Sequence, residues 1–336
     1  MSPWNDEWLE LTKEDPLDPD LPICDAHHHL YEKPTGRYLF EEFLADIRGG
    51  HRIVKSVFVE CQTNYRKGGP EEMQPVGETE FVQGVNARST SGQSGETNMC
   101  AGIVGAANLA LGKAVEPVLE AHIEAGKGSF RGIRHQTCWD PHPSVLNQDK
   151  LVPPKLLLDS KFREGIACLQ KLGLSYDAWC FFHQLMEVVD LARAFPDLNI
   201  IMEHTGGPIR VGYEEKYDEV LQQWKQGIAA LGTCPNVSIK LGAIGSSPSR
   251  RYAFGWDKRA TPPDSTELAE VMSPYFLECI EQFGADRCMF ESNFPADKPS
   301  YSYNVIWNTF KRITKSFSSD ERAALFRDTA SRVYRI

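Results

Sequence analysis

Short apolar runs recur along the chain at Ile23–Ala26, Ile53–Glu60, Cys100–Ala107, Phe130–Arg134, Leu174–Phe182, Ile200–Glu203, Val237–Leu241 and Cys288–Glu291. Each has the length and β-branched or aromatic content of a strand. Between most of them the apolar positions shift to a three-to-four-residue spacing, at Glu80–Ala87, Ala114–Ala125, Phe162–Leu172, Leu185–Ala194, Tyr213–Leu231 and Leu268–Phe283. That spacing predicts helices with one buried face. Strands alternating with helices in this number and order predict an α/β fold, a (β/α)8 TIM barrel. A doubly wound open sheet is the alternative, but no Gly-x-Gly-x-x-Gly turn follows the first strand. Segments 65–79, 136–155 and 243–265 are polar and rich in Gly, Pro or Ser, and read as long loops after strands, where a barrel builds its pocket. From Ser319 the chain reads as a capped helix running to Arg332.

The chain has 336 residues and a formal net charge of −10, with no internal repeat. The expected organisation is one barrel domain over 1–336, with residues 1–21 as an N-terminal extension. No basic patch is dense enough to hold nucleic acid or an anionic membrane surface, and no apolar stretch approaches the ~20 residues that span a bilayer. The N-terminus lacks the cationic start and apolar core of a signal peptide. The cysteines, nine in number, show no Cys-x-x-Cys pair. An odd count without framework spacing predicts reduced, buried thiols in a cytoplasmic protein.

Polar groups collect where strands end. Asp25-Ala26-His27-His28-His29 closes the first strand. Strand alternation puts Asp25, His27 and His29 on one face and His28 on the other, so two imidazoles converge on one small target, a divalent cation or a polarised oxygen. Strand 2 ends in Glu60, strand 4 in Arg134 and His135, strand 5 near His183, strand 6 at His204, strand 7 at Lys240 and strand 8 at Ser292-Asn293. One such ending is unremarkable; the repetition predicts an active site at the C-terminal rim of a barrel. Glu60 shares a face with Phe58, which points it inward. Arg134 is read as facing the pocket and Arg131 as a structural pair or second anchor. Lys240 reads equally as a rim salt bridge. His51, His122 and His142 are read as packing or loop residues.

In order and spacing, Asp25-x-His27-x-His29, Phe130-Arg131-Gly132-Ile133-Arg134, His183-Gln184-Leu185, Glu203-His204-Thr-Gly-Gly-Pro208, Lys240-Leu-Gly242 and Phe290-Glu-Ser-Asn293-Phe-Pro295 resemble the amidohydrolase-2 branch of the amidohydrolase superfamily. The likeness is to its lactonase-like members, such as 2-pyrone-4,6-dicarboxylate lactonase and sugar lactonases, and runs from about Pro22 to Ile336. It implies a distorted (β/α)8 barrel that hydrolyses lactones or related bonds; some relatives decarboxylate aromatic or muconate acids with a metal. Strand 8 in this family usually ends in an aspartate that serves as general base and, in metal-dependent members, as a ligand. Here that position is Asn293, and an amide cannot take a proton from water. Glu60 is then the expected carboxylate, with Glu291 and Asp297 next.

The expected catalytic residues are therefore His27, His29, Glu60, His183, His204 and Asn293. In a metal-dependent mechanism His27, His29, His183 and Glu60 would hold a divalent ion, most plausibly zinc. In a metal-free one the imidazoles polarise the carbonyl directly. Arg134, with Arg131 or Arg210, and Lys240 suit a small anionic substrate. The expected activity is hydrolysis of a small carboxylated lactone or cyclic ester. Two alternatives stand beside it, a metal-dependent non-oxidative decarboxylase and a non-catalytic ligand-binding barrel.

Overall fold

Eight parallel strands form one sheet among the described residues, which are 5–34, 36–145, 152–245 and 254–336 of this computed structural model. They are β1 (Ile23–His28), β2 (Ile53–Val59), β3 (Asn98–Gly105), β4 (Phe130–Arg134), β5 (Ser175–Ala178), β6 (Ile200–Met202), β7 (Val237–Leu241) and β8 (Cys288–Phe290). Each strand pairs with the next in chain order. The first and last meet just beyond β8, where Asn293 N donates to His27 O at 2.9 Å and His29 N to Phe294 O at 2.7 Å. The sheet is thus a nearly closed (β/α)8 barrel, and its two ends join at the residues that carry the chemistry. Helices α1 (Phe40–Ile47), α2 (Val76–Arg88), α3 (Glu116–Ala125), α4 (Ser160–Leu172), α5 (Leu185–Ala194), α6 (Tyr217–Gly232), α7 (Ser265–Phe283) and α8 (Tyr303–Ile313) surround it. Their starts follow capping chemistry: Asp159 accepts from Phe162 N at the head of α4, Asp264 from Thr266 N and Glu267 N at α7, and Ser302 from Val305 N at α8.

Three differences from the sequence pattern have physical causes. The apolar run 174–182 leaves the sheet after Ala178, because Trp179 O accepts from Thr137 N and Phe182 N donates to Gly207 O, so burial continues in a loop. Helix α8 is not among the expected helices, and two of its polar residues, Asn308 and Lys311, are themselves buried. They hold the N-terminal segment: Asn308 binds Glu14, Asp15 O and Leu17 N, while Lys311 Nζ donates to Leu17 O, Asp18 O and His51 Nδ1. A short hairpin, Tyr31–Lys33 with Gly36–Tyr38, follows β1 and has no counterpart in the expected elements. The expected loops 136–155 and 243–265 are seen only at their ends, since 146–151 and 246–253 lie outside the described residues.

One apolar layer lies between sheet and helices. A smaller one lies inside the barrel, where Cys24, Ala26, Val57, Val59, Val104, Ile201 and Met289 pack against Ala330, Val333 and Tyr334 of the C-terminal helix Thr329–Tyr334. Residues 24 and 26, and 57 and 59, obey the two-residue period of inward positions. The C-terminal helix therefore plugs the bottom of the barrel, and the polar residues above it occupy the other end. No helix among the described residues is long and apolar enough to cross a membrane. All nine cysteines are free, and eight are buried.

His28 faces outward from β1. Its ring stacks on Phe43 with centroids 4.0 Å apart, Ser56 Oγ lies 2.9 Å from Nε2, and burial pushes its pKa down to about 3. Replacing it by alanine removes a ring from a filled core site. His28→Ala is expected to cost ~2–4 kcal/mol in urea unfolding; a loss below ~1 kcal/mol would show that this packing is not what holds β1 against β2 and α1.

Candidate active site

The site is built from the ends of the strands. His27 lies in β1 and His29 just past it, and their Nε2 atoms stand 3.2 Å apart. His29 Nδ1 meets Val59 O at 2.8 Å, so that nitrogen carries the proton and Nε2 the lone pair. His204, at the end of β6, places Nδ1 2.8 Å from Glu291 Oε1. His27 Nδ1 lies 2.9 Å from Glu291 Oε2, 3.2 Å from Glu203 Oε1 and 3.3 Å from Lys240 Nζ. This nitrogen therefore faces two carboxylate oxygens and the Lys240 ammonium, which can only donate. His29 and His204 have Nδ1 turned to an acceptor and Nε2 left with a lone pair.

Glu291 reaches both rings because a glycine makes room for it. A Cβ at Gly242, just after β7, would lie 2.5 Å from Glu291 Cγ. The loops around it hold several non-glycine residues at positive φ: His204 (54°), Thr205 (56°), Ala243 (57°) and Asn293 (55°). Such backbone costs of order 1 kcal/mol or more per residue and persists only where neighbours over-determine it. Here Thr205 Oγ1 donates to Gly242 O at 3.0 Å, and His204 N donates to Glu291 Oε1 at 3.2 Å.

Beneath the imidazoles runs a buried ionic network. Arg134 donates through Nε to Glu60 Oε1 (2.7 Å), through Nη1 to Glu203 Oε2 (3.0 Å) and through Nη2 to Glu60 O. Its Nη1 also stands 3.5 Å from His27 Nε2. Lys240 Nζ donates to Asp177 Oδ2 at 2.9 Å and Glu203 Oε1 at 3.2 Å. Tyr334 OH donates to Asp177 Oδ2 at 2.6 Å, so the plug helix completes the network from below. Burial works against ionising Glu203, yet Arg134, His27 and Lys240 hold it well below the carboxylate range. Burial likewise opposes Glu291, and His204 and His27 outweigh it. Burial keeps His29 and His204 below the usual imidazole value, so both are neutral near pH 7.

The structure brings together His27, His29, Glu60, Arg134, His204 and Lys240. It places three other expected residues differently. His183 Nε2 pairs with Asp140 Oδ2 at 3.0 Å, beside Trp139 and Tyr213, because β5 has already ended at Ala178 and His183 stands on the loop beyond. Arg131 sits near the start of β4, with Nη1 on Phe130 O and Nη2 on Arg335 O at the plugged end, far along the strand from the mouth. Asn293 is at the mouth, but its Nδ2 donates to Asp297 Oδ1 at 3.3 Å. Burial raises Asp297 to about 7, and a second carboxylate at 293 would face it directly. Asp25 does not join the imidazoles: β1 is irregular between Asp25 and His28, and Asp25 accepts from Ser292 and Tyr303. Glu203 and Glu291, central here, were less visible in sequence; the Glu immediately before His204 was the available signal for the first.

The donor set fits a divalent ion. His27, His204 and Glu291 offer ligand atoms within 4.8 Å of one another, and His29 adds a fourth donor beside His27. His29 Nε2, which carries a lone pair, lies 3.2 Å from His27 Nε2, so either a proton on His27 Nε2 or a cation bridges the two nitrogens. The network also holds four carboxylates, Glu60, Asp177, Glu203 and Glu291, against two basic side chains, Arg134 and Lys240. The surplus of negative charge offsets the repulsion that the Arg134 guanidinium would exert on a second cation.

Known proteins share this architecture. The family model for amidohydrolases (Amidohydro_2) matches residues 24–336, and the chain belongs to that family. A protein of Sinorhizobium fredii called y4mH, itself uncharacterized, is 32% identical over 341 residues, covering 94% of this chain and 99% of that protein. L-fucono-1,5-lactonase of Burkholderia ambifaria is 24% identical over 288 residues, covering 81% of this chain and 87% of that enzyme. An amidohydrolase from Burkholderia multivorans, solved with bound zinc, superposes with a TM-score of 0.70 at 21% identity, covering 94% of this chain and 99% of that one; this likeness shows the shared fold.

Because Glu203 and Glu291 are held below their unfolded pKa, their contribution to stability is full above the unfolded value near 4.5 and is lost as pH falls through the folded one. Each such carboxylate steepens the acid limb by up to ~1.4 kcal/mol per pH unit. Urea unfolding between pH 5 and pH 3 should therefore show a flatter slope for Glu291→Gln than for the native chain. Equal slopes would mean that Glu291 is not ionised against His27 and His204.

Proposed function

We propose that this protein hydrolyses the ring ester of a small, neutral, polyhydroxylated lactone at the mouth of the barrel. The observation that carries this reading is a cavity, lined by Glu60, in which the described residues offer no free cation. The cavity is about 630 Å³ and is lined by Glu60, Tyr65, Glu71, Glu72, Arg134 and Gln136 among others. Arg134 uses all three of its nitrogens on Glu60 and Glu203, and Lys240 is fully occupied below. Among the described residues a carboxylated substrate would meet acidic side chains and no available guanidinium, which favours a neutral substrate over the anionic one expected from the sequence. The similarity to an L-fucono-1,5-lactonase agrees with that class.

Ester hydrolysis needs an activated water, stabilisation of the oxyanion and a proton for the leaving oxygen. Glu60 is held by Arg134 and Gln136 through Oε1, and Oε2 has no partner among the described residues. That free oxygen takes the proton from the attacking water. His29 and His204 keep Nε2 unprotonated, each backed by an acceptor that fixes its tautomer, so with His27 beside them they are set to hold a cation and not to donate to the lactone carbonyl themselves. A zinc ion, where bound by these nitrogens, would supply Lewis acidity to the same carbonyl and lower the pKa of a bound water. Protonated Glu60 then returns its proton to the leaving alkoxide, and Asn293, whose amide faces Asp297, contributes only a hydrogen-bond acceptor.

The test is ring opening of a panel of aldono-1,5-lactones followed by pH-stat, with and without added zinc. Neutral lactones should exceed a lactone bearing a carboxylate by at least ~10-fold in kcat/KM, and Glu60→Gln should lower kcat by ~10²–10⁴-fold. Preference for the carboxylated compound, or release of carbon dioxide from an aromatic acid in place of ring opening, would overturn the proposal.

A further inference from the structure

We infer that Gln136 and Tyr65 form a two-sided reader for one hydroxyl group of the substrate, and that this pair sets specificity among neutral lactones; the inference rests on the lactonase reading above. Gln136 lies two residues beyond β4 on the cavity wall. Its Nε2 donates to Glu60 Oε1 at 2.9 Å. The opposite rotation of the amide would set Oε1 against that carboxylate oxygen, so the contact fixes which end of the amide points where. Oε1 is then buried and without a hydrogen-bond partner. Leaving a buried acceptor unpaired costs free energy, and no described residue supplies a donor for it.

Tyr65 stands on the same cavity, close enough to Glu60 and Glu78 that, after burial itself, their charges push its phenol further up. It stays protonated at any ordinary pH and is a standing donor. The loop that carries it is rigidly set. Glu78 Oε1 accepts from Cys61 N at 2.9 Å and Thr63 N at 3.0 Å, and Gln62 and Asn64 are held at positive φ of 61° and 49°. The cavity that Glu60 lines thus also carries an oriented acceptor on Gln136 and a phenol donor on Tyr65.

Only some groups satisfy both. A carboxylate has no proton to give Gln136, and an ammonium has no lone pair to accept from Tyr65. A hydroxyl does both at once: its hydrogen goes to Gln136 Oε1 and its oxygen accepts from Tyr65 OH. A site built to hydrogen-bond a hydroxyl rejects the analogue lacking it far more strongly than an apolar pocket rejects a missing methylene, because its own buried groups are left unpaired.

Two measurements separate this inference from the activity it rests on. The first is hydrolysis of an aldono-1,5-lactone and its monodeoxy analogues, each lacking one hydroxyl. The native protein should lose at least ~10²-fold in kcat/KM for removal of one particular hydroxyl, whereas Gln136→Ala and Tyr65→Phe should each process the parent and that deoxy analogue within about 3-fold of one another. The second is calorimetric binding of the matching 1,5-anhydroalditols, which have the ring and hydroxyls but no ester. The same hydroxyl should be read there in the native chain and not in the two variants. Hydroxyl discrimination that survives in both variants, in either experiment, overturns the inference while leaving the hydrolase reading intact. Absence of turnover with variant-sensitive polyol binding overturns the hydrolase reading and supports the inference; absence of both turnover and polyol binding overturns the two together.

Discussion

The interaction on which the rest depends is the burial of Glu203 between Arg134 and Lys240, with His27 against its other face. Taking a carboxylate out of water costs several kcal/mol unless it is paired, and removing one partner of such a pair costs ~3–5 kcal/mol. The barrel meets that cost with strand ends. Arg134 comes from β4, Lys240 from β7, Asp177 from β5 and His27 from β1, so only a correctly registered sheet assembles the set. The same charges that make the interior tolerable orient the imidazoles above. Stability and chemistry are therefore properties of one network, which reaches from Tyr334 in the plug helix to Glu60 at the cavity.

Within that network each side chain has a separate task. Arg134 positions Glu60 and Glu203. Glu291 occupies the space left by Gly242 and ties His27 to His204, although it lies two residues before the position where the family usually carries an aspartate. Asn293 keeps that position uncharged beside Asp297, which burial already holds near neutrality.

Much of this was legible in the sequence. The strand–helix alternation gave the barrel, because parallel strands buried on both faces read as apolar runs whatever their neighbours. His27 and His29 do lie together, but not by strict alternation: Cys24 and Ala26 are the inward positions of β1, and the irregularity at Asp25–His28 brings His27 to the site while Asp25 stays out of it. Glu60, Arg134, His204 and Lys240 were found as polar ends of apolar runs. Arg131 and His183 show where that rule stops. Position along a strand decides which end of the barrel a side chain serves, and Arg131 lies too early. Strand length decides whether a nearby residue still points inward, and β5 ends before His183. The role of Tyr334 was beyond any local pattern, since it depends on the C-terminal helix crossing under the barrel to reach Asp177.

Val59 O and Glu291 hold His29 and His204 in one tautomer, with Nε2 unprotonated. Long-range proton–nitrogen correlation spectra of zinc-loaded protein, labelled with nitrogen-15 at histidine and assigned through single-site variants, read this directly. The expected result is that both rings carry their proton on Nδ1 at pH 7. A proton on Nε2 of either would contradict it.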